Sequence, residues 1–258
     1  MIQGLWQSAA GLRSQQLRQD VLANNMANVE TPGFKVDRVA FIERPVATES
    51  SDFVPGDDLR TTHAVLDALT GGLTYAPTNT DFSGAALVPT LNELDFAIDG
   101  DGFLAVRTPD GTRYTRNGRM TLREDGTIVT AANGFELLDR TGRPIRVDTR
   151  SSDKLSLDEA GRLRQGTNLV AELAPVDFED RGALRKTGHN VYDGGGERPV
   201  PARSRMRQFA YEASGADPTA TLVQMIEATR AYQLNATMIS LQDSTLARAV
   251  NDIGAIRR

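Results

Sequence analysis

The 258-residue chain contains no cysteine, which excludes disulfide bonds, thiolate nucleophiles and zinc–thiolate sites. It has only two histidines, His63 and His189, and neither lies in a serine or carboxylate pattern typical of a nucleophile or zinc site. Aromatic residues make up 6% of the chain and are scattered, which argues against an aromatic-lined ligand groove. We therefore expect a protein that is not an enzyme and that has no catalytic residue, cofactor or metal.

Long apolar runs and blocks of basic residues are also missing. No apolar run approaches the roughly 18 residues that a membrane span needs, so we expect no membrane insertion. The net charge is −5 and the basic residues are dispersed, so we expect no binding to nucleic acid. The first residues, from Met1 to Gln7, lack a basic n-region, which indicates that no cleaved signal peptide is present.

Two short motifs resemble parts of known sites. Gly100 to Ala105 fits the loose dinucleotide pattern G-x-G-x-x-A, but the turn after Val106 leaves no room for the helix that this pattern requires. Asp95, Asp99 and Asp101 lack the glycine and the final glutamate of a helix-loop-helix calcium site. We predict neither a nucleotide site nor a calcium site.

The N-terminal segment has a heptad pattern, with steps of three and four residues along one face. Two glutamines interrupt its apolar character, and Pro32-Gly33 follows the segment. The pattern predicts a helix that ends at Asn28. Its seam comprises Ile2, Leu5, Ala9, Leu12, Gln16, Gln19, Ala23 and Met26.

The C-terminal segment has a longer heptad pattern. Asp217-Pro218 supplies an N-cap and a proline at the first helical position, which predicts a helix from Pro218 to Ile256. Its seam comprises Leu222, Met225, Thr229, Tyr232, Ala236, Ile239, Asp243, Leu246, Val250 and Ile253.

The C-terminal helix needs a partner. Its large seam side chains contribute roughly 1.5–3 kcal/mol each on full burial. Ordering the backbone costs roughly 1–2 kcal/mol for every residue of the helix. The N-terminal helix is one candidate partner, which would give a self-contained helical hairpin. We favour the alternative in which the helices order fully only between subunits.

Between the helices, turn dipeptides recur at short intervals and predict an antiparallel sheet or barrel. The turns include Asp125-Gly126 and Asn133-Gly134, and a weaker set of strands is expected from Lys154 to Phe178. Pro45 to Pro89 is rich in Thr, Ser, Gly and Pro and indicates an extended connector, with one possible short helix at His63 to Leu69.

These patterns together predict an α+β fold, in which a discontinuous terminal-helix coiled-coil domain accompanies a mainly antiparallel β domain. The expected parts are residues 1–40 (N-terminal helix and turn of the assembly domain), 41–90 (connector), 91–207 (β-rich domain) and 208–258 (C-terminal helix completing the assembly domain).

Four blocks of the sequence resemble the flagellar rod and hook proteins, and they occur in the order of that family. The blocks are Leu22 to Lys35, Asp95 to Gly118, Thr187 to Tyr192, and Met225 to Asn235. The chain length and the opening pairs Leu5-Trp6 and Gly11-Leu12 are most similar to the FlgF/FlgG group. One departure is Gly215-Ala216-Asp217, where relatives carry a Ser-Asn-Val type of turn.

The resemblance implies a structural subunit of the bacterial flagellar basal-body rod. It implies export in an unfolded state through the flagellar export apparatus, without a cleaved signal, and location in the periplasm-spanning rod. It also implies polymerisation with copies of itself and with other rod and hook subunits. The alternative is a β-domain binding module or adhesin with a helical hairpin as its stalk.

The expected assembly interface consists of the apolar seams and of three asparagines at the end of the first helix. Amide side chains there can bond to free carbonyl groups of their own helix or to a neighbouring chain, and both possibilities remain open. The interface residues are Ile2, Leu5, Leu12, Asn24, Asn25, Met26, Asn28, Leu222, Met225, Tyr232, Ile239, Leu246, Val250 and Ile253.

Overall fold

A computed structural model describes residues 2–43, 73–75 and 78–255. The chain divides into two compact units. The first comprises Met1–Met26, Asp37–Asn79 and Pro218–Arg258, and the second comprises Ala27–Val36 and Thr80–Asp217. The short helix expected at His63 to Leu69 lies outside the described residues.

The first unit contains two long helices, α1 (Ile2–Ala27) and α2 (Pro218–Ala255). Helix α1 ends one residue before the predicted Asn28, and α2 begins at Pro218 as predicted, because proline fits the first helical turn. Short strands follow α1 in the chain, with β2 antiparallel to β3 and β1 beside β4. They are β1 (Asp37–Arg38), β2 (Phe41–Glu43), β3 (Leu73–Tyr75) and β4 (Asn79–Thr80).

The second unit is built from short strands. They are β5 (Leu87–Pro89), β6 (Phe96–Asp99), β7 (Leu104–Thr108), β8 (Gly111–Thr115), β9 (Met120–Leu122), β10 (Ile128–Thr130), β11 (Glu136–Leu137), β12 (Leu155–Leu157), β13 (Arg162–Gln165), β14 (Asn168–Glu172), β15 (Val176–Asp177), β16 (Arg185–Lys186), β17 (Tyr192–Asp193), β18 (Val200–Pro201), β19 (Arg205–Gln208) and β20 (Ala210–Glu212). A single turn of 3₁₀ helix, Arg181–Ala183, precedes β16.

The main sheet of this unit has seven strands in the order β16-β17-β8-β7-β11-β10-β9. A three-stranded sheet, β12-β13-β14, forms from the weaker set of strands, and β19 pairs with β6 while β20 pairs with β5. Each strand pair of this unit whose register is given is antiparallel. The predicted α+β class is confirmed.

The core of the second unit has two neighbouring clusters of buried side chains. The smaller cluster is mainly aromatic and contains Phe103, Phe178, Leu184 and Tyr192. The larger cluster is aliphatic apart from Phe96 and two methionines. It contains Phe96, Ile98, Leu104, Val106, Met120, Ile128, Leu137, Ile145, Val147, Leu155, Leu163, Leu173, Val191 and Met206.

The unit borders differ from the boundaries expected from the sequence. Ala27–Val36 belongs to the β-rich unit, although we had expected it with the helices. The reason is burial, since Phe34 and Lys35 are both almost fully buried. The segments on either side of 91–207 also join this unit, because β5 and β20 pair with each other.

Candidate assembly interface

Helices α1 and α2 lie side by side in an antiparallel register within the first unit. Gln19 Nε2 donates to Thr229 Oγ1 over 3.2 Å. A methyl group placed on Gly11 would lie 2.9 Å from Asn235 Oδ1, and one placed on Gly4 would lie 3.0 Å from the Gln242 amide nitrogen. As the residue number falls in α1 it rises in α2, so these contacts define a single register.

One covered row of α1 consists of small and polar residues in the first half of the helix. Gly4, Ser8, Gly11 and Gln15 follow one another at steps of four and three residues. Ser8 is buried, while the two glycines and Gln15 are half-buried. On α2, the corresponding heptad position is occupied by Thr221, Ala228, Asn235, Gln242 and Ala249, all buried or half-buried. We call these two rows the polar seam.

The predicted apolar seam lies one residue further along each helix. On α1, Leu5, Leu12 and Met26 are half-buried, and nothing is described for the side chain of Ile2. On α2, Met225, Ile239 and Leu246 are half-buried, whereas Leu222, Tyr232 and Val250 are exposed, and the side chain of Ile253 is outside the described residues. The contacts of these residues with other copies remain a prediction.

A second row of apolar side chains on α2 is exposed. We call it the outer stripe, and each of its members is about half exposed or more. Four members of the row are displaced by about 100° or more around the helix from the nearest residue of the polar seam, whereas Met238 lies closer to it, three residues after Asn235. The outer stripe consists of Val223, Ile226, Leu234, Met238 and Leu241.

The asparagines at the end of α1 differ in their surroundings. Asn25 is buried, and its amide bonds to both backbone groups of Asp37 at 2.9 and 3.1 Å. Asn28 Oδ1 accepts from Thr31 Oγ1, and the Asn28 carbonyl accepts from Ser214 Oγ. Asn24 is exposed. Asn25 and Asn28 therefore bond within their own chain, and contacts with a neighbouring chain remain a prediction.

A buried group of three charged side chains lies in the second unit, and we call it the anchor. Glu212 Oε1 accepts from Lys35 Nζ over 2.6 Å, and Glu212 Oε2 accepts from Arg116 Nη1 over 3.3 Å. All three side chains are at most 3% exposed. Lys35 comes from the turn after α1, Glu212 from the end of β20 and Arg116 from the end of β8.

The anchor is held by further bonds from the backbone. Glu212 Oε1 also accepts from the Ala85 amide, Lys35 Nζ donates to the Ser83 carbonyl, and Arg116 Nη1 donates to the Gly100 carbonyl. Burial lowers the pKa of Lys35, although the Glu212 carboxylate acts in the opposite direction. Burial also lowers the pKa of Arg116, whose guanidinium nevertheless stays charged. One carboxylate therefore balances two buried cations.

Parts of three of the four blocks that carry the resemblance lie around the anchor in the second unit. The Gly33 amide donates to the Glu212 carbonyl over 2.7 Å, and Asn190 Nδ2 donates to the Pro32 carbonyl over 2.9 Å. Lys186 Nζ donates to the Lys35 carbonyl and lies over the Phe34 ring. His189 and Asn190 both have positive φ, which turns the chain sharply there. The segment from Pro32 to Lys35 is thus held by several distant parts of the chain.

Gly33 is required at its position for two reasons, which a pair of variants can separate. Gly33 has a φ of 64°, and an added methyl group would lie 2.3 Å from the Arg116 carbonyl oxygen. Gly142 has a similar φ of 78°, but a methyl group there would meet no atom within 4 Å. We expect Gly142→Ala to lower the free energy of unfolding by about 1–2 kcal/mol from the backbone alone. Gly33→Ala should cost about 1–3 kcal/mol more, because the backbone around Arg116 must move.

The free energy of unfolding of each variant can be measured by urea titration, with hydrogen exchange of the β7 amides as the probe of the second unit. Equal losses for the two variants would show that the close approach to Arg116 contributes nothing.

The anchor residues were absent from the interface expected from the sequence. Lys35 and Arg116 lie within the recognised blocks, but nothing in their spacing shows that they contact Glu212. The partners are separated by up to 177 positions in the chain. No pattern in the sequence distinguished Lys35 and Arg116 from the other polar and charged residues of these blocks.

The motifs with a resemblance to enzyme sites form ordinary structural features. Gly100 lies in the connection between β6 and β7, with no helix after it. The three aspartates have separate partners: Asp95 accepts from Thr90 and Asn92, Asp99 pairs with Arg207, and Asp101 pairs with Arg181. Among the described residues no cluster of His, Cys, Asp and Glu suits a metal ion. No helix within residues 2–43, 73–75 and 78–255 is both long enough and apolar enough to cross a membrane.

Three regions of the chain match family models. Residues 8–35 match the flagella basal body rod protein model. Residues 97–165 match the flagellar hook protein FlgE/F/G D1 domain, and residues 207–252 match the flagellar basal body rod FlgEFG protein C-terminal model. The flagellar basal-body rod protein FlgG of Bacillus subtilis is 30% identical over 97% of this chain and 99% of its own length. The chain belongs to the FlgF/FlgG family of flagellar basal-body rod proteins.

Relatives of both types are similarly close. The flagellar basal-body rod protein FlgF of Caulobacter vibrioides is 31% identical over 92% of both chains, and FlgG of the same species is 30% identical over 95% of this chain and 97% of its own. Each of the three regions matched by the rod-protein models contributes one anchor residue: Lys35, Arg116 and Glu212 respectively. The anchor therefore brings together one residue from each of the three matched regions, which are far apart in the sequence.

Proposed function

We propose that this protein is a structural subunit of the flagellar basal-body rod and that its copies polymerise through the terminal helices. The outer stripe of α2 carries this proposal, because a row of exposed apolar side chains on a long helix is typical of a surface that another protein covers. Family membership supplies the context, since the relatives are named as rod proteins. Neither the family matches nor these relatives support an adhesin.

The energetics favour several contacts per subunit over one. Fully burying five such side chains from half exposure contributes roughly 4–8 kcal/mol. Association itself costs an estimated 4–15 kcal/mol in lost translational and rotational freedom. A single contact through the outer stripe is therefore weak, and a polymer in which every subunit has several neighbours supplies the remaining stabilisation. The outer stripe favours the same arrangement, because its apolar side chains remain exposed when α1 and α2 pair within one chain.

The wider proposal follows from the family. It includes contacts with other rod and hook subunits, passage through the flagellar export apparatus without a cleaved signal peptide, a location in the periplasm-spanning rod, and no catalytic activity. The matched family models are named for rod and hook proteins, which supports these contacts. Asp95, Asp99 and Asp101 each bond to a different neighbouring side chain, which supports a structural role for them.

The deciding experiment is electron microscopy of purified protein at increasing concentration, for the full chain and for a chain that lacks residues 218–258. We expect the full chain to form rods and the shortened chain to form none. Hydrogen exchange should show that β7 and β8 stay protected in the shortened chain, because the second unit has its own core. Rods formed by the shortened chain would contradict a role for α2 in assembly.

A further inference from the structure

The polar seam between α1 and α2 places glycines of α1 opposite amide side chains of α2. On α1, Gly4 and Gly11 lie one heptad apart and leave notches in the helix surface. On α2, Asn235 and Gln242 also lie one heptad apart, and their amides occupy those notches. Large apolar side chains, which usually fill such a seam, lie beside this row, and Met225, Ile239 and Leu246 of α2 are half-buried there.

Two polar side chains of α2 bond to their own helix: Asn235 of the polar seam, and Thr229, which follows Ala228 of the seam. Asn235 Nδ2 donates to the Ala231 carbonyl over 3.0 Å, which leaves Oδ1 directed at Gly11. Thr229 Oγ1 donates to the Met225 carbonyl over 2.8 Å and still accepts from Gln19. The Asn235 amide and the Thr229 hydroxyl are therefore held in direction by bonds within α2 itself.

The same row contributes little to the strength of pairing. The buried oxygens Gln15 Oε1 and Gln242 Oε1 have no hydrogen-bond partner among the described residues. A buried acceptor without a partner destabilises the state that buries it. The row is thus poorly suited to hold the helices tightly. Its role is better explained by the alignment of the two helices than by the strength of their pairing.

A shift of one helix along the other breaks the pattern. If α2 slipped by one heptad so that Asn235 faced Gly4, Gly11 would face Ala228, which has no amide, and the Gln19 bond would be lost. A seam of leucines would accept such a shift far more readily, because one apolar contact replaces another, whereas a polar residue in a seam selects a single register.

We propose that the polar seam sets the register of the antiparallel pair of terminal helices, with Asn235 and Gln242 as positioning residues that dock against Gly11 and Gly4. By selecting one register, the seam also fixes the position of the outer stripe of α2 along the length of α1. The inference concerns a single chain and does not depend on polymerisation, so it can fail while the proposed function holds, and the reverse.

The test measures the register directly by electron spin resonance distances between two labels. Asp20→Cys and Ser240→Cys introduce labels at exposed positions of α1 and α2, and the natural chain contains no cysteine that would interfere. Labelled chains are diluted into excess unlabelled chain, so that only labels within one molecule are measured. The parent protein should show one narrow distance. A broad distribution in the parent protein would overturn the proposal.

The main variant is Asn235→Leu with Gln242→Leu. It should add a second distance displaced by about 10 Å, since a slip of one heptad moves a helix by that length at 1.5 Å per residue. The matched control is Gln224→Leu with Gln233→Leu, the same change of amide to leucine at exposed positions of α2. This control should keep the single distance, and a single distance in the main variant as well would refute the proposal.

Gly11→Ala separates register from simple helix stability. Alanine forms helices better than glycine, so a role limited to helix formation predicts a narrower distance distribution. The added methyl group also displaces the Asn235 amide from its notch, so the proposal predicts a broader distribution or a second distance. A narrower distribution in this variant would count against the register function.

Discussion

The Glu212→Gln variant is expected to lose about 3–5 kcal/mol of the free energy of unfolding of the β-rich unit. Replacing the Glu212 carboxylate by an amide leaves the buried Lys35 and Arg116 without the one buried carboxylate that pairs with both, and breaking a buried ion pair is strongly destabilising. Hydrogen exchange of the β7 amides should accelerate by roughly two to four orders of magnitude, because 1.4 kcal/mol corresponds to a factor of ten.

Two further variants show whether charge balance is the cause. Glu172→Gln makes the same chemical change in the exposed pair with Arg140 and should cost at most about 1 kcal/mol. Lys35→Met keeps the apolar stem and leaves one carboxylate with one cation, so its cost should be about 1–3 kcal/mol from the unpaired Ser83 carbonyl. If Glu212→Gln cost no more than Lys35→Met, the account of an unbalanced buried charge would be wrong.

Aspartate at two positions of the outer stripe should abolish assembly while the monomer stays folded. Leu234 is 68% exposed and Leu241 is 56% exposed, so Leu234→Asp with Leu241→Asp removes little packing from the single chain. In a polymer the same positions would bury two carboxylates without partners, which costs several kcal/mol for each ion. The critical concentration for rod formation, measured by sedimentation, should rise by at least about a thousandfold, since 4 kcal/mol corresponds to roughly that factor.

The matched control for this experiment is Gln224→Asp with Gln233→Asp on the same helix. Both glutamines are exposed and already polar, so the control adds the same charge without removing an apolar side chain and should raise the critical concentration far less. Leu246 is less suitable for the test because it is half-buried within the chain, and aspartate there would also disturb the pairing of α1 with α2. Assembly of the double outer-stripe variant at the parent concentration would contradict the proposed interface.

Local patterns were sufficient for the elements of this fold. Pro218 marked the start of α2, and Pro32-Gly33 placed the end of α1 within one residue, because proline and glycine act on the backbone of their immediate neighbours. Turn dipeptides such as Asp125-Gly126 predicted the antiparallel strands for the same reason. The family resemblance likewise rested on short contiguous blocks.

The heptad patterns of the two helices show what local sequence cannot predict, namely which residues of one helix contact the other. Apolar spacing identified Leu5, Leu12, Ile239 and Leu246, which are half-buried, but it did not indicate the row through Gly11 and Asn235 that lies beside them. Spacing shows that a helix has an apolar side but does not show which partner covers that side. Contacts of glycine with an asparagine or glutamine side chain involve no apolar side chain, so a search for apolar spacing does not detect them.

By itself, the sequence determined the two terminal helices, the antiparallel character of the β-rich unit, the family and the absence of cysteine chemistry, since each depends on composition or on residues close together in the chain. Only the tertiary structure decided that Lys35, Arg116 and Glu212 share one buried site and that the helices meet through a polar seam. Both features join residues far apart in the chain, and their energies come from burial and from the direction of individual polar atoms, which arise only when the chain is folded.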